Sequence, residues 1–232
     1  GIGDDTLLGS GVDNLLQGAG GKDSLTGLGG ADTVFGGLGT DVIDGGDGAD
    51  ALTGEEGTEH YTGVLDLAAF GDTIFGGAGE DTIIGDHRVI ELGNGSVSGA
   101  GDVIDGGEDD DIIYGDSLNA TVNFTFTLQI FGGNDTIAGG AGADTIFGDH
   151  GTVVNNADHA TVTGGNDSIQ GGAGDDLLLG DGQKASAPSS YASSDFIYGG
   201  DDTVDGGEGN DTVYGDWIVV SADKVFGGDD SI

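Results

Sequence analysis

A unit of nine residues recurs along this chain, and that period restricts the fold more than any local propensity does. It reads Gly-Gly-x-Gly-x-Asp-x-(aliphatic)-x, with full copies opening at Gly36, Gly45, Gly76, Gly139, Gly171 and Gly206. The glycine-rich half suits a turn that ends in a carboxylate. The other half suits a three-residue strand with one inward aliphatic side chain. Such a unit cannot bury a face by itself, so copies must stack on their neighbours.

Between residues 1 and 62 the unit runs almost without a break. Asp5, Asp13, Asp23, Asp32, Asp41 and Asp50 take the carboxylate position, and Glu59 stands in at the next. Two residues later come Leu7, Leu15, Leu25, Val34, Ile43, Leu52 and Tyr61, although the early spacing slips to eight and ten residues. Residues 63–70 break the pattern and read as an irregular connection. From residue 71 to 232 the aspartates come in pairs nine apart: Asp72 with Asp81, Asp102 with Asp111, Asp135 with Asp144, Asp167 with Asp176 and Asp202 with Asp211. Variable inserts separate the pairs, giving a longer repeat of 28–35 residues. Each insert follows a Gly-Asp dipeptide that ends at Asp86, Asp116, Asp149, Asp181 or Asp216. Because the chain begins and stops inside repeats, it reads as a piece of a longer array.

Composition alone would suggest disorder, with 53 glycines among 232 residues and a formal charge of −39. A disordered tail, however, does not place an aliphatic residue two positions after each repeated Asp. Only four lysines and arginines oppose 43 acidic residues. That balance excludes a nucleic-acid or anionic-lipid surface. No stretch of about 20 apolar residues is present to span a membrane, and the chain has no cysteine for disulfides or thiolate metal sites.

The repeat carries its own electrostatic problem. Stacked copies bring their aspartates to the usual strand spacing of about 5 Å. At an effective dielectric near 20, neighbouring carboxylates then repel by roughly 3 kcal/mol. Four basic residues cannot neutralise that column, so a cation must. Glycine permits the backbone turns that aim carbonyl oxygens at one point. Aspartate adds a hard anionic oxygen, and Ca²⁺ takes 6–8 oxygens in tolerant geometry. Mg²⁺ demands a tighter octahedron, and no sulfur or imidazole is repeated that would suit zinc.

The motif resembles the nonapeptide of the repeats-in-toxin family, also called haemolysin-type calcium-binding repeats. That resemblance covers most of the chain. It implies an all-β fold, a parallel β-roll in which two nonapeptides form one coil and calcium ions sit in the turns. With such coils every insert falls between Asp pairs, so all inserts are expected to leave from one edge. Carried onto this sequence, the candidate calcium ligands are Asp32, Asp41, Asp50, Asp72, Asp81, Asp102, Asp111, Asp135, Asp144, Asp167, Asp176, Asp202 and Asp211. The Gly-Asp residues Asp86, Asp116, Asp149, Asp181 and Asp216 join them. So do the turn glycines Gly36, Gly45, Gly76, Gly106, Gly139, Gly171 and Gly206. Asp109 replaces the third glycine of the turn opening at Gly106, and aspartate tolerates the left-handed region that such a turn needs.

Members of such a family commonly leave bacteria by type I secretion and fold outside, where calcium is plentiful. The expected function is therefore a non-catalytic, calcium-folded structural or adhesive segment of a large secreted protein, located outside the cell or on its surface. One alternative is the accessory β-roll of a secreted protease, lipase or epimerase. Ice binding is another, but the threonines that follow repeat aspartates are interrupted by Asn14, Val42, Ala51, Val103, Ile112 and Leu177. The four histidines read as surface loop residues. No Gly-x-Ser-x-Gly elbow or phosphate loop is present. The inserts are expected to pack on one another as a side layer. Residues 121–131 have the alternation of a strand, and that edge is where cell-surface, matrix or neighbouring-protein contacts are expected.

Overall fold

A computed structural model describes residues 1–55, 58–64, 67–94, 96–122, 128–155, 160–186, 196–222 and 224–232. All regular structure among them is β, and every paired strand is parallel. The strands form four sheets. The first runs from Thr6–Ser10 to Thr203–Glu208 and the second from Leu15–Gly20 to Thr212–Tyr214, eight strands each. The third runs from Thr58–Val64 to Val219–Ser221 and the fourth from Leu67–Ala68 to Lys224–Phe226, six strands each.

Sheets one and two face each other as the β-roll that the nonapeptides imply. One aliphatic side chain per strand points inward, and these side chains stack coil upon coil. Ile74, Ile104, Ile137, Ile169 and Val204 form one column. Ile83, Ile113, Ile146, Leu178 and Val213 form the opposite one. All of these are buried except Val213, which is partly buried against the same core. In the first coils equivalent aspartates are 18 residues apart, two nonapeptides per turn.

The inserts do leave from one edge, but they are more than a side layer of loops. They form a second roll, with sheets three and four closing over Ile90, Val97, Ala120, Ile130, Val153, Val162, Ala185, Ile197 and Trp217. A full coil therefore holds four strands, for example Thr73–Ala78, Thr82–Ile84, Val89–Asn94 and Ser96–Ser98. Residues 121–131 contribute to two strands rather than one, Asn119–Val122 in sheet three and Leu128–Phe131 in sheet four, and residues 123–127 lie outside the described residues.

Three local readings of the sequence shift. The early eight-residue slip is absorbed in the turn, so Leu15 pairs with Thr33 and is 64 % exposed while Leu16 enters the core. Asn14, not Asp13, then takes the repeated carboxylate position. The regular array stops at Gly54-Glu55, which pairs with Gly85-Asp86 through backbone hydrogen bonds of 3.0 Å to Ile84 and 3.3 Å to Asp86. Glu59 consequently lies on a strand of the third sheet opposite Ile90, away from the turns. Finally, His87 and His150 are buried beside the Gly-Asp dipeptides rather than displayed on loops.

Candidate metal sites

Two ladders of aspartates run along the two edges of the first roll. On one edge the backbone N–H of each Asp donates to Oδ1 of the Asp one coil further on, linking Asn14, Asp32, Asp50, Asp81, Asp111, Asp144, Asp176 and Asp211 at 2.7–3.1 Å. The other edge repeats the pattern through Asp5, Asp23, Asp41, Asp72, Asp102, Asp135, Asp167, Asp202 and Asp230 at 2.6–3.2 Å. One carboxylate oxygen is thereby spent on holding the stack. The second oxygen of Asp23, Asp32, Asp41, Asp50, Asp72, Asp81, Asp102, Asp111, Asp135, Asp144, Asp167, Asp176 and Asp202 is buried without a hydrogen-bond partner.

These spare oxygens are aimed. At Gly76 the place a Cβ would take is filled by Asp81 Oδ2 and the carbonyl oxygen of Gly106. Gly36 faces Asp41 and the Gly54 carbonyl in the same way, and Gly45 faces Asp50 and the Gly76 carbonyl. Gly106, Gly139 and Gly171 face Asp111, Asp144 and Asp176 together with the carbonyls of Gly139, Gly171 and Gly206, and Gly206 faces Asp211. Any side chain there would fill the cradle. The following glycines bend the chain, with Gly77 at φ 115° and Gly79 at φ 128°. Asp109 adopts φ 80° in place of such a glycine, as its tolerance of that region allows. Ala19 and Leu28 do so too, at φ 81° and 84°.

Unpaired, the carboxylates resist ionisation. Burial, followed by neighbouring carboxylates, pushes Asp41 up to about 6, Asp72 to about 8, and Asp81 and Asp111 to about 7. No three acidic or imidazole side chains converge among the described residues. The donors are instead mixed, carboxylate with backbone carbonyl, all hard oxygens. That set fits Ca²⁺, which accepts irregular shells of carboxylate and carbonyl oxygens.

The Gly-Asp aspartates occupy a third position, at the waist where each coil passes from the first roll into the second and back. Their carboxylates accept N–H hydrogen bonds from the returning chain: Asp86 from Ala100, Asp116 from Gly133, Asp149 from Gly165, Asp181 from Gly200 and Asp216 from Gly228, at 2.9–3.2 Å. Glu55 does the same with Phe70 at 2.7 Å. Sequence reasoning placed Asp23 in the carboxylate column and saw the Gly-Asp glycines without counting either among the ligands, and it missed Glu55. Its one available signal was the Gly before each insert, which Gly54-Glu55 shares.

Fold and cradles together define a cation-binding parallel β-roll. The family model for the RTX calcium-binding nonapeptide repeat matches residues 1–34, 26–58, 68–87, 98–122, 131–152, 154–184 and 194–217. The chain belongs to that family, and it is a calcium-binding β-roll segment. No curated protein and no solved structure matches it.

Proposed function

We propose that this chain is a structural and adhesive segment of a large secreted bacterial protein, folding when it meets calcium outside the cell and holding several ions in its turns. The ladders of buried, spare carboxylate oxygens carry this reading. They oppose folding where calcium is scarce and favour it where calcium reaches the roughly 10⁻⁴–10⁻³ M of extracellular modules. The ligands are the two edge ladders with their facing glycines, joined by the waist aspartates. Partner contacts belong to the second roll, whose fourth sheet displays a stack of Phe196, Tyr198 and Phe226 with centroids 5.0–6.5 Å apart.

Among the described residues, one grouping that resembles a triad is buried. Ser117 Oγ lies 2.9 Å from His150 Nδ1, and Asp116 is 3.7 Å from the same nitrogen. All three are at most 1 % exposed, and burial holds the imidazole down at about 4, so no substrate meets it. Circular dichroism of the chain before and after calcium addition tests the proposal. Disorder should give way to β structure, whereas a chain already fully folded in calcium-free, low-salt buffer at neutral pH would refute it.

A further inference from the structure

The nonapeptide cradle is built from one continuous turn, but at the waist the same cradle is assembled from two separate segments. Gly85 faces Asp102 Oδ2 and the Gly115 carbonyl just as Gly76 faces Asp81 Oδ2 and the Gly106 carbonyl. Gly54 likewise faces Asp72 and Gly85, Gly115 faces Asp135 and Gly148, Gly148 faces Asp167 and Gly180, and Gly180 faces Asp202 and Gly215. Between each glycine and its aspartate the chain has travelled through the second roll and come back.

One difference separates the split cradle from the continuous one. Where the continuous turn has Gly77, the split turn has an acidic residue: Glu55, Asp86, Asp116, Asp149 or Asp181, each at most 2 % exposed. Both oxygens of Asp116 and of Asp149 accept from the returning backbone, as does one oxygen each of Glu55, Asp86 and Asp181. Glu55 Oε2, Asp86 Oδ1 and Asp181 Oδ2 have no hydrogen-bond partner, and neither does Oδ2 of Asp72, Asp102, Asp135, Asp167 or Asp202 across the waist. Among the described residues no lysine or arginine pairs with any of them. Two columns of buried carboxylates therefore face each other with carbonyl oxygens beside them.

We propose that the split turns form a second class of calcium sites, each with one more carboxylate than the nonapeptide turn, and that ions there fasten the second roll to the first. This rests on the calcium reading above. Calcium affinity rises with the number of charged ligands and with site rigidity. The waist sites, shut inside the molecule and held by both rolls, should therefore fill before those on the open edge.

The test uses the full chain, Ca²⁺ itself, and two matched variants: Asp86→Asn with Asp181→Asn at the waist, and Asp81→Asn with Asp176→Asn on the edge in the same coils. Equilibrium dialysis counts ions. Fluorescence of Trp217, the sole tryptophan and part of the second-roll core, reports closure of that roll. The wild-type isotherm should resolve a tighter and a weaker class. The waist variant should lose tight ions and shift the Trp217 midpoint about tenfold or more towards higher calcium, in keeping with a lost carboxylate ligand. The edge variant should lose weak ions and leave that midpoint within about twofold. Should the double waist variant fail to fold, Asp181→Asn alone, which leaves the other rungs intact, should still lower the tight class. A single-class wild-type isotherm, or a waist variant with unchanged ion count and midpoint, overturns the inference. A wild-type chain that binds no calcium instead overturns the calcium reading itself.

Discussion

Acidifying the calcium-free chain should fold it. Asp72 is pushed up to about 8, and Asp81, Asp102, Asp111 and Asp202 to about 7, burial being the first cause in every case. For the well-buried Asp102, a rise from 3.8 to about 7 corresponds to about 4 kcal/mol. The sign follows from proton binding. Between those two values the folded chain keeps a proton that the unfolded chain has released, so stability falls as pH rises through the window. The contribution is intact below about pH 4 and gone above the folded value. Several such groups act in the same direction against the roughly 5–15 kcal/mol by which ordinary domains are stable. The calcium-free chain should accordingly be unfolded at pH 7.5 and gain β structure as the pH drops towards 4.5, read by far-ultraviolet circular dichroism with a denaturant titration at each pH. Saturating calcium should reverse the trend, because protons then compete with the bound ion. Calcium-free stability that climbs from pH 4 to pH 8 would refute the reasoning.

Two further outcomes follow from the packing. Ile146→Asp places a charge at a fully buried core position and should abolish calcium-induced folding, whereas Thr145→Asp, on the outer side of the same strand, should cost about 1 kcal/mol or less; equal melting temperatures would contradict the register. Gly139→Ala puts a methyl group where Asp144 Oδ2 and the Gly171 carbonyl meet, so dialysis should find about one ion fewer per chain with the β content kept, and an unchanged count would show that this cradle holds no ion.

Much of this molecule is local, and the local part was legible. A turn and a short strand repeat within nine residues, so the inward aliphatic column and both Asp ladders follow from spacing alone. Asp81 and Gly76 lie within one turn, and stacking needs no further information to bring the Gly106 carbonyl beside them. The exception at Asn14 and Leu16 arose because two registers differing by one residue were both compatible with the letters. Only burial of Leu16 against Val34 selects between them.

The inserts are the opposite case. They differ in length and share no motif, so sequence alone suggested only that they leave from one edge and pack beside the roll. Their parallel register is set by the coils they hang from: Val89 meets Asn119, Asn119 meets Thr152 and Thr152 meets Lys184 because the first roll has already aligned their starting points. The same alignment returns Asp102 to Gly85, buries Glu55 and encloses His150. Short-range repetition thus determined the first roll and the two carboxylate ladders on its edges. The second roll and the waist between them were decided by the tertiary structure, because their contacts join residues that only a completed coil brings together.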